Sequence, residues 1–411
     1  MDRYLKIKIG GKDINISFLC LILFSYLARR PFLTFGKFFN LTAVIAGLAL
    51  LLFFGSFIIY TLGTRKVCWD GLFLVLIMAL FFYVTYLVHP EYHDRFVDIY
   101  KEGAHSAKVV FTMWAGIYCY YIFRLFKNED EKLFSTLKAL AIVILLFEIW
   151  GFADHNEGYG YDMGFGYRME MAAIIFLAQY LNNKRNTRYL VLSLACMAFA
   201  ILYGSRASIV GYGVFILVYF IWSKQINRRM VFLSVLVIIT GVLATSQSFI
   251  MYIYNMFSGL GIESRTLYKM AVLRNISAST SRTERIWPVL IEALKEMPIY
   301  EMYGAFGDRT LLAARYPYAH NFILEILMTF GWIVGLAILV WIFVMFIKVI
   351  KNDKGLSGLI TIIVGCFALC RLFFSSSFWV EPYFWALLAM LVNYSQNNRR
   401  NRANIYQGSE I

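Results

Sequence analysis

The chain has 411 residues, 60% of them hydrophobic and 16% charged, with a mean hydropathy of +0.63 and a formal charge of +14. A soluble domain carries about 25% charged residues, so this composition excludes an ordinary soluble protein. Lys and Arg lie in short loops between apolar runs, where they orient membrane spans and attract anionic lipid, so the positive charge makes no case for nucleic-acid binding.

Apolar runs of about 20 residues recur from end to end, each long enough to cross a hydrocarbon core. The expected fold is an all-α polytopic membrane protein forming a single integral domain over residues 1–411. About twelve spans are expected, centred near Leu21, Ala49, Ile77, Ala115, Val143, Phe176, Ala195, Phe215, Val237, Leu336, Val364 and Leu387. The first lacks a small-residue cleavage site and reads as an uncleaved helix. Alternation of spans places Arg3 to Lys12, Arg65-Lys66, Lys127 with Lys132, Lys184-Arg185, Arg228-Arg229, Lys351 with Lys354, and Arg399-Arg400 on one side. That side is cytoplasmic by the positive-inside rule, and both termini lie there. Cysteines fall in spans, or in a cytoplasmic loop for Cys68, with no CxxC pattern, so neither disulfides nor a metal site is expected.

Four external segments interrupt the spans. The first, 88–106, carries His89, His93 and His105; the second, 152–168, is rich in Gly and Tyr; the third is the minimal turn Gly204-Ser205-Arg206. The fourth, residues 249–319 between the ninth and tenth spans, is far longer than a connector requires. Within it Ser281-Arg282-Thr283-Glu284 reads as a capping box. After it Ile286, Leu290, Leu294 and Met297 recur at helical spacing, with Glu292 and Lys295 largely opposite. This predicts an amphipathic helix over the outer face, ended by Pro298 and Tyr303-Gly304.

Several arginines stand on the outer side: Arg206, Arg282, Arg285, Arg168 and Arg371 near the end of a span. A guanidinium fork suits phosphate oxygens, and several converging at a helix start would bind a diphosphate. Each also has a plain structural reading, snorkelling or pairing with Glu148, Glu170 or Glu381. His320, followed by Asn321 at the mouth of a span, titrates near neutrality and is a candidate general base. Glu325, one turn on, is its expected partner or a structural acid. Trp287, Tyr303, Tyr316 and Tyr318 place aromatic side chains in the same external segment. The first external turn has no Asp or Glu, and no DxD pair, Walker loop or GxSxG is present, so neither metal-dependent transfer nor nucleotide chemistry is expected.

Taken in order, Tyr203-Gly204-Ser205-Arg206, Ser281-Arg282-x-x-Arg285-x-Trp287, Tyr303-Gly304 and His320-Asn321-x9-Gly331 resemble the O-antigen ligase and polymerase superfamily over about Leu190 to Ile350. Where ligases of that family have Gly, Thr or Tyr three residues after the motif glycine, this chain has Val334. The resemblance implies a GT-C-like, metal-independent glycosyltransferase of the bacterial inner membrane without a cofactor. It further implies that Arg206 with Arg282 or Arg285 holds the diphosphate, with His320 at the acceptor. Asn321, Glu325, Trp287, Tyr303, Tyr318 and Arg371 are expected as substrate-binding residues around that centre. The implied partners are undecaprenyl-diphosphate-linked glycan as donor and acceptor, membrane lipid, a flippase and a chain-length regulator. Repeat-unit polymerisation is the expected reaction, ligation to lipid A core the alternative, and a lipid-linked sugar flippase a third reading of another class.

Overall fold

The structure, a computed structural model, describes residues 4–9, 12–17, 68–92, most of 116–124, 130–154, 163–182, 186–204, 206–223, 247–261 with scattered positions to 271, 286–312 and 318–408. They are overwhelmingly helical. In chain order the helices are α1 (Trp69–Val88), α2 (Asp130–Asp154), α3 (Met163–Asn182), α4 (Arg188–Tyr203), α5 (Arg206–Ser223), α6 (Gln247–Gly259), α7 (Trp287–Glu296), α8 (Gly307–Leu311), α9 (Phe322–Asn352), α10 (Leu356–Phe374) and α11 (Pro382–Gly408).

The expected span centres Ile77, Val143, Phe176, Ala195, Phe215, Leu336, Val364 and Leu387 each fall inside one of these helices. Those near Leu21, Ala49, Ala115 and Val237 lie outside the described residues. Among the described residues three helices, α1, α9 and α10, are long and apolar enough to cross a membrane, and α4 and most of α5 form shorter apolar helices. The chain is a helical membrane protein.

One departure from an all-α fold stands at the N-terminus, where β1 (Tyr4–Ile9) pairs antiparallel with β2 (Lys12–Ser17). Leu5 faces Ile16 and Ile7 faces Ile14, while Lys8 faces Asp13. Strict alternation on both sides of Gly10-Gly11 is a hairpin pattern.

The single domain expected from the sequence divides into two compact units. The first comprises Met1–Val67, Asn128–Ser277 and Lys354–Phe367. Its centre is α3, buried along most of its length and packed against α2, α4 and α5. Ser193 donates to the Ala173 carbonyl at 2.7 Å and shares a 2.9 Å hydrogen bond with Tyr212, stitching three helices with groups that would otherwise be orphaned. Arg168 forms a forked pair with Glu148, as its structural reading required. A Cβ on Gly204 would lie 2.4 Å from Gly166 Cα, so the turn that ends α4 needs glycine for close backbone approach.

The second unit comprises Cys68–Lys127, Ala278–Asp353 and Ala368–Ile411. At one end Arg124 is clamped between Asp70 and Asn393, and Asn393 donates to the Phe123 carbonyl at 2.9 Å. At the other, Phe82, Phe306, Phe330, Phe378 and Trp379 form an aromatic cluster with ring centroids 4.5–6.4 Å apart. The candidate site stands on that cluster.

Candidate functional site

The long segment expected at 249–319 is not a bare loop, since it begins inside α6 and carries α7 and α8. Its amphipathic helix is α7, with Leu290 and Leu294 buried and Glu292, Lys295 and Glu296 exposed. The capping box and the arginines Arg282 and Arg285 lie outside the described residues. Pro288 stands in the first turn of α7, where a missing N–H costs nothing. At the other end of α7, Trp332 Nε1 donates to the Leu294 carbonyl at 3.0 Å and Tyr303 Oη to the Ala293 carbonyl at 3.3 Å. Tyr303, expected to bind sugar, thus fastens the loop helix with its hydroxyl.

The chain then docks on α1. Gly304 has φ +74, and a Cβ there would meet Thr85 Oγ1 at 2.7 Å. Ala305 N donates to that hydroxyl at 3.2 Å. Phe306 follows in the left-handed region at φ 67 and opens α8. Left-handed backbone costs a non-glycine residue about 1–2 kcal/mol, and here ring packing against Phe82 and Trp379 offsets it.

α8 delivers Asp308 and Arg309 into a buried polar cluster. Asp308, Arg309, Glu325 and Ser377 are each 3% exposed or less. Arg309 Nη2 donates to Ser377 Oγ at 3.1 Å and stands 3.7 Å from Glu325 Oε1. Its guanidinium lies over the Phe306 ring, 5.0 Å from the centroid. Ser377 Oγ donates to Glu325 Oε1, and Phe378 N donates to Glu325 Oε2 at 3.1 Å. Glu325, expected as a partner of His320, a structural acid or a substrate ligand, accepts from Ser377 and Phe378 in the 375–381 turn. Asp308 Oδ2 accepts from Ala319 N at 3.1 Å. Arg309 Nε and Nη1 and Asp308 Oδ1 are buried without a hydrogen-bond partner among the described residues.

His320 follows the residue held by Asp308. Its φ is 53, and its ring is half-buried against that of Tyr318, with centroids 4.1 Å apart. Tyr318 Oη donates to the Ser375 carbonyl, which fixes the aromatic face on which the imidazole rests. Asn321 caps α9, its Oδ1 accepting from Ile323 N at 3.0 Å and Leu324 N at 3.4 Å. Asn321 is thus an N-cap, a role its position as a substrate ligand did not anticipate. The imidazole is therefore held on both sides by fixed backbone.

Further along α9 lies a groove of about 510 Å³ lined only by apolar side chains, among them Met78 of α1, Ile326, Phe330, Val334 and Trp341 of α9, and Trp385 of α11. The remaining expected residues are placed as follows. Arg371 Nε pairs with buried Glu381 at 3.1 Å, which favours its structural reading. Trp287 is half-buried at the start of α7, and its Nε1 has no hydrogen-bond partner among the described residues. Arg206 is the first residue of α5, in the first unit. Tyr316, like His93 and His105, lies outside the described residues, while His89 Nδ1 stands 2.8 Å from Glu91. Arg309 was not singled out in the sequence. An Asp-Arg pair after two aromatic-glycine steps, Tyr303-Gly304 and Phe306-Gly307, was the available signal.

Comparison with protein-family models, with curated proteins and with solved structures returned no match.

Proposed function

We propose that the chain is a glycosyltransferase of the bacterial inner membrane that polymerises undecaprenyl-diphosphate-linked oligosaccharide repeat units on the outer face, with both termini cytoplasmic. One observation carries this reading. A half-buried imidazole, rigidly held in left-handed backbone, stands at the start of a helix that also lines an all-apolar groove. A substrate with a sugar head and a long isoprenoid tail needs both a titratable group and an apolar groove. An imidazole titrates near neutrality and suits proton removal from a sugar hydroxyl.

In the proposed reaction the growing chain on undecaprenyl diphosphate is the donor. The acceptor hydroxyl oxygen bonds to the anomeric carbon with inversion, and His320 takes or orients the hydroxyl proton. The bond from that carbon to the diphosphate oxygen breaks, and its electron pair leaves with the diphosphate. Arg206, with Arg282 or Arg285, stabilises the departing charge, the kind of preorganised electrostatics that supplies the largest catalytic term in many enzymes.

Alanine at His320 or at Arg206 tests this. Each variant should reach the membrane folded and lose long polymer, with rate losses on the order of 100-fold or more for a removed charge stabiliser. Wild-type chain lengths in either variant would remove that residue from the reaction. Activity should persist in EDTA. Single repeats left on the final acceptor after gene deletion support polymerisation, whereas glycan stranded on the carrier supports ligation.

A further inference from the structure

α9 is two helices joined at Gly331, whose φ of 74 and ψ of 177 no helix contains. The limbs are not collinear. Phe322 and Phe343 have ring centroids 6.2 Å apart, although 21 residues of straight helix would separate them by ~31 Å. A right-angled bend fails as well, because limbs of ~13 Å and ~18 Å would leave their ends ~22 Å apart. Only an acute hairpin brings the rings together. A second contact agrees: a Cβ on Gly335 would lie 3.0 Å from Ile326 O and 3.1 Å from Leu327 Cα.

Membrane placement follows from length. Of the 31 residues of α9, ten are used up to Gly331, and the long limb from Trp332 to Asn352 rises ~31 Å. That matches a hydrocarbon core of about 30 Å without help from the short limb. α10, with 19 residues, has nearly the same length. Lys348, Lys351 and Lys354 gather where the long limb ends, so Gly331 marks the opposite, outer boundary. The chain reaches that level from the other side at Gly304-Ala305, pinned to Thr85 three residues before the end of α1. Tyr303 N also donates to Met328 O at 3.1 Å, beside the hairpin bend.

We infer that the described residues 304–312 and 318–331 are re-entrant: the chain enters the outer half of the bilayer at Gly304, carries His320 below the headgroup level, and returns along the short limb to Gly331. The nine residues of that limb place His320 ~10–13 Å beneath Gly331. Backbone of this kind at membrane depth must be buried in protein or line a polar cavity. Ala319 and Phe322 are 1% exposed or less, and among the described residues Asp308, Arg309 and Glu325 are shielded in one buried cluster. The ligand that fits is one delivered from the bilayer itself. A lipid-borne head group reaches His320 by sliding laterally along the groove at Ile326, Phe330 and Val334. This inference rests on the membrane assignment and stands whether or not the chain transfers sugar.

Spin labels test both parts in nanodiscs, introduced as genetically encoded residues so that the six native cysteines stay in place. A pair at Leu324 and Phe343 should lie within ~20 Å, whereas a straight α9 would separate them by ~28 Å and overturn the hairpin. Single labels at Val334, Ala337 and Trp341 calibrate depth along the long limb. A label at Leu324 should then lie deeper than one at Phe330 and level with Ala337 to Trp341. If Leu324 proves shallower than Phe330, with more contact to an aqueous paramagnetic complex, the short limb leaves the membrane and the re-entrant placement is wrong. Ile323, also half-buried, serves as a second position if the Leu324 label disturbs folding.

Discussion

Substituting Gly331 with alanine probes the bend on which the site is built. At φ 74 and ψ 177 the backbone is in a region essentially confined to glycine, and a side chain there costs about 1–3 kcal/mol in strain. Space is lacking as well, because the new Cβ would lie 2.2 Å from Glu301 O and 3.4 Å from Met302 Cβ. Relieving that clash moves the 301–303 segment away and breaks the 3.1 Å bond from Tyr303 N to Met328 O, worth about 1 kcal/mol. The combined effect is about 2–4 kcal/mol of local docking energy, a roughly 30- to 1,000-fold rise in local opening at 1.4 kcal/mol per decade. Hydrogen exchange read by mass spectrometry in nanodiscs measures this directly. Peptides covering 298–306 and 324–331 should lose protection by that factor, while peptides from α3, in the other unit, stay unchanged. Gly259→Ala is the control, since nothing lies within 4 Å of a Cβ there. Wild-type protection of the Tyr303 amide in Gly331→Ala would refute the packing argument.

Removing Glu325 leaves buried Arg309 with Asp308 alone, 3.9 Å from its Nε, and breaking a buried pair costs about 3–5 kcal/mol; Glu325→Ala should lower yield and midpoint in thermal unfolding far more than Glu292→Ala on the exposed face of α7. Asn321→Ala should cost about 1 kcal/mol for the lost cap, while Asn321→Ser restores it. If Asn321 instead bound substrate, Asn321→Ser would keep stability and lose activity, so measuring both separates cap from ligand. Arg371→Ala should destabilise through stranded Glu381, and Arg371→Lys should largely rescue it; equal loss of polymer in both with unchanged stability would return Arg371 to the substrate site.

The sequence made legible those features that depend on local period. Helix positions near Ile77, Phe176 and Leu336 follow from apolar runs, and α7 from the spacing of Ile286, Leu290 and Leu294. The N-terminal hairpin was equally legible, in Leu5-Ile7-Ile9 and Ile14-Ile16 around two glycines, but a basic terminus masked it. What could not be read was non-local. Glu325 and Ser377 are 52 residues apart, and nothing in either neighbourhood announces their hydrogen bond. The spacing His320-Asn321-x9-Gly331 was visible as a motif, yet its meaning is physical and structural. It is the length of a short helix, opened by the Asn321 cap and closed by a glycine that alone tolerates the bend. Hydropathy reads that stretch as the start of one long span because a hairpin of two apolar limbs has the same composition as a straight helix.

Strain and buried charge coincide around the imidazole in a way that stability alone does not explain. Phe306 and His320 are the two non-glycine residues with positive φ among the described residues, and they flank Asp308 and Arg309 in the chain. A buried guanidinium with two carboxyls is at best neutral against an apolar replacement of the same volume. Left-handed backbone at a histidine adds a further cost, and such conformations persist where surrounding structure over-determines them. Here the determinants are specific: Asp308 holds Ala319, the Tyr318 ring supports the imidazole, and Asn321 fixes the next peptide into the helix. Every one of them constrains the direction of a single side chain. That concentration of constraints on one imidazole supports the role proposed for His320.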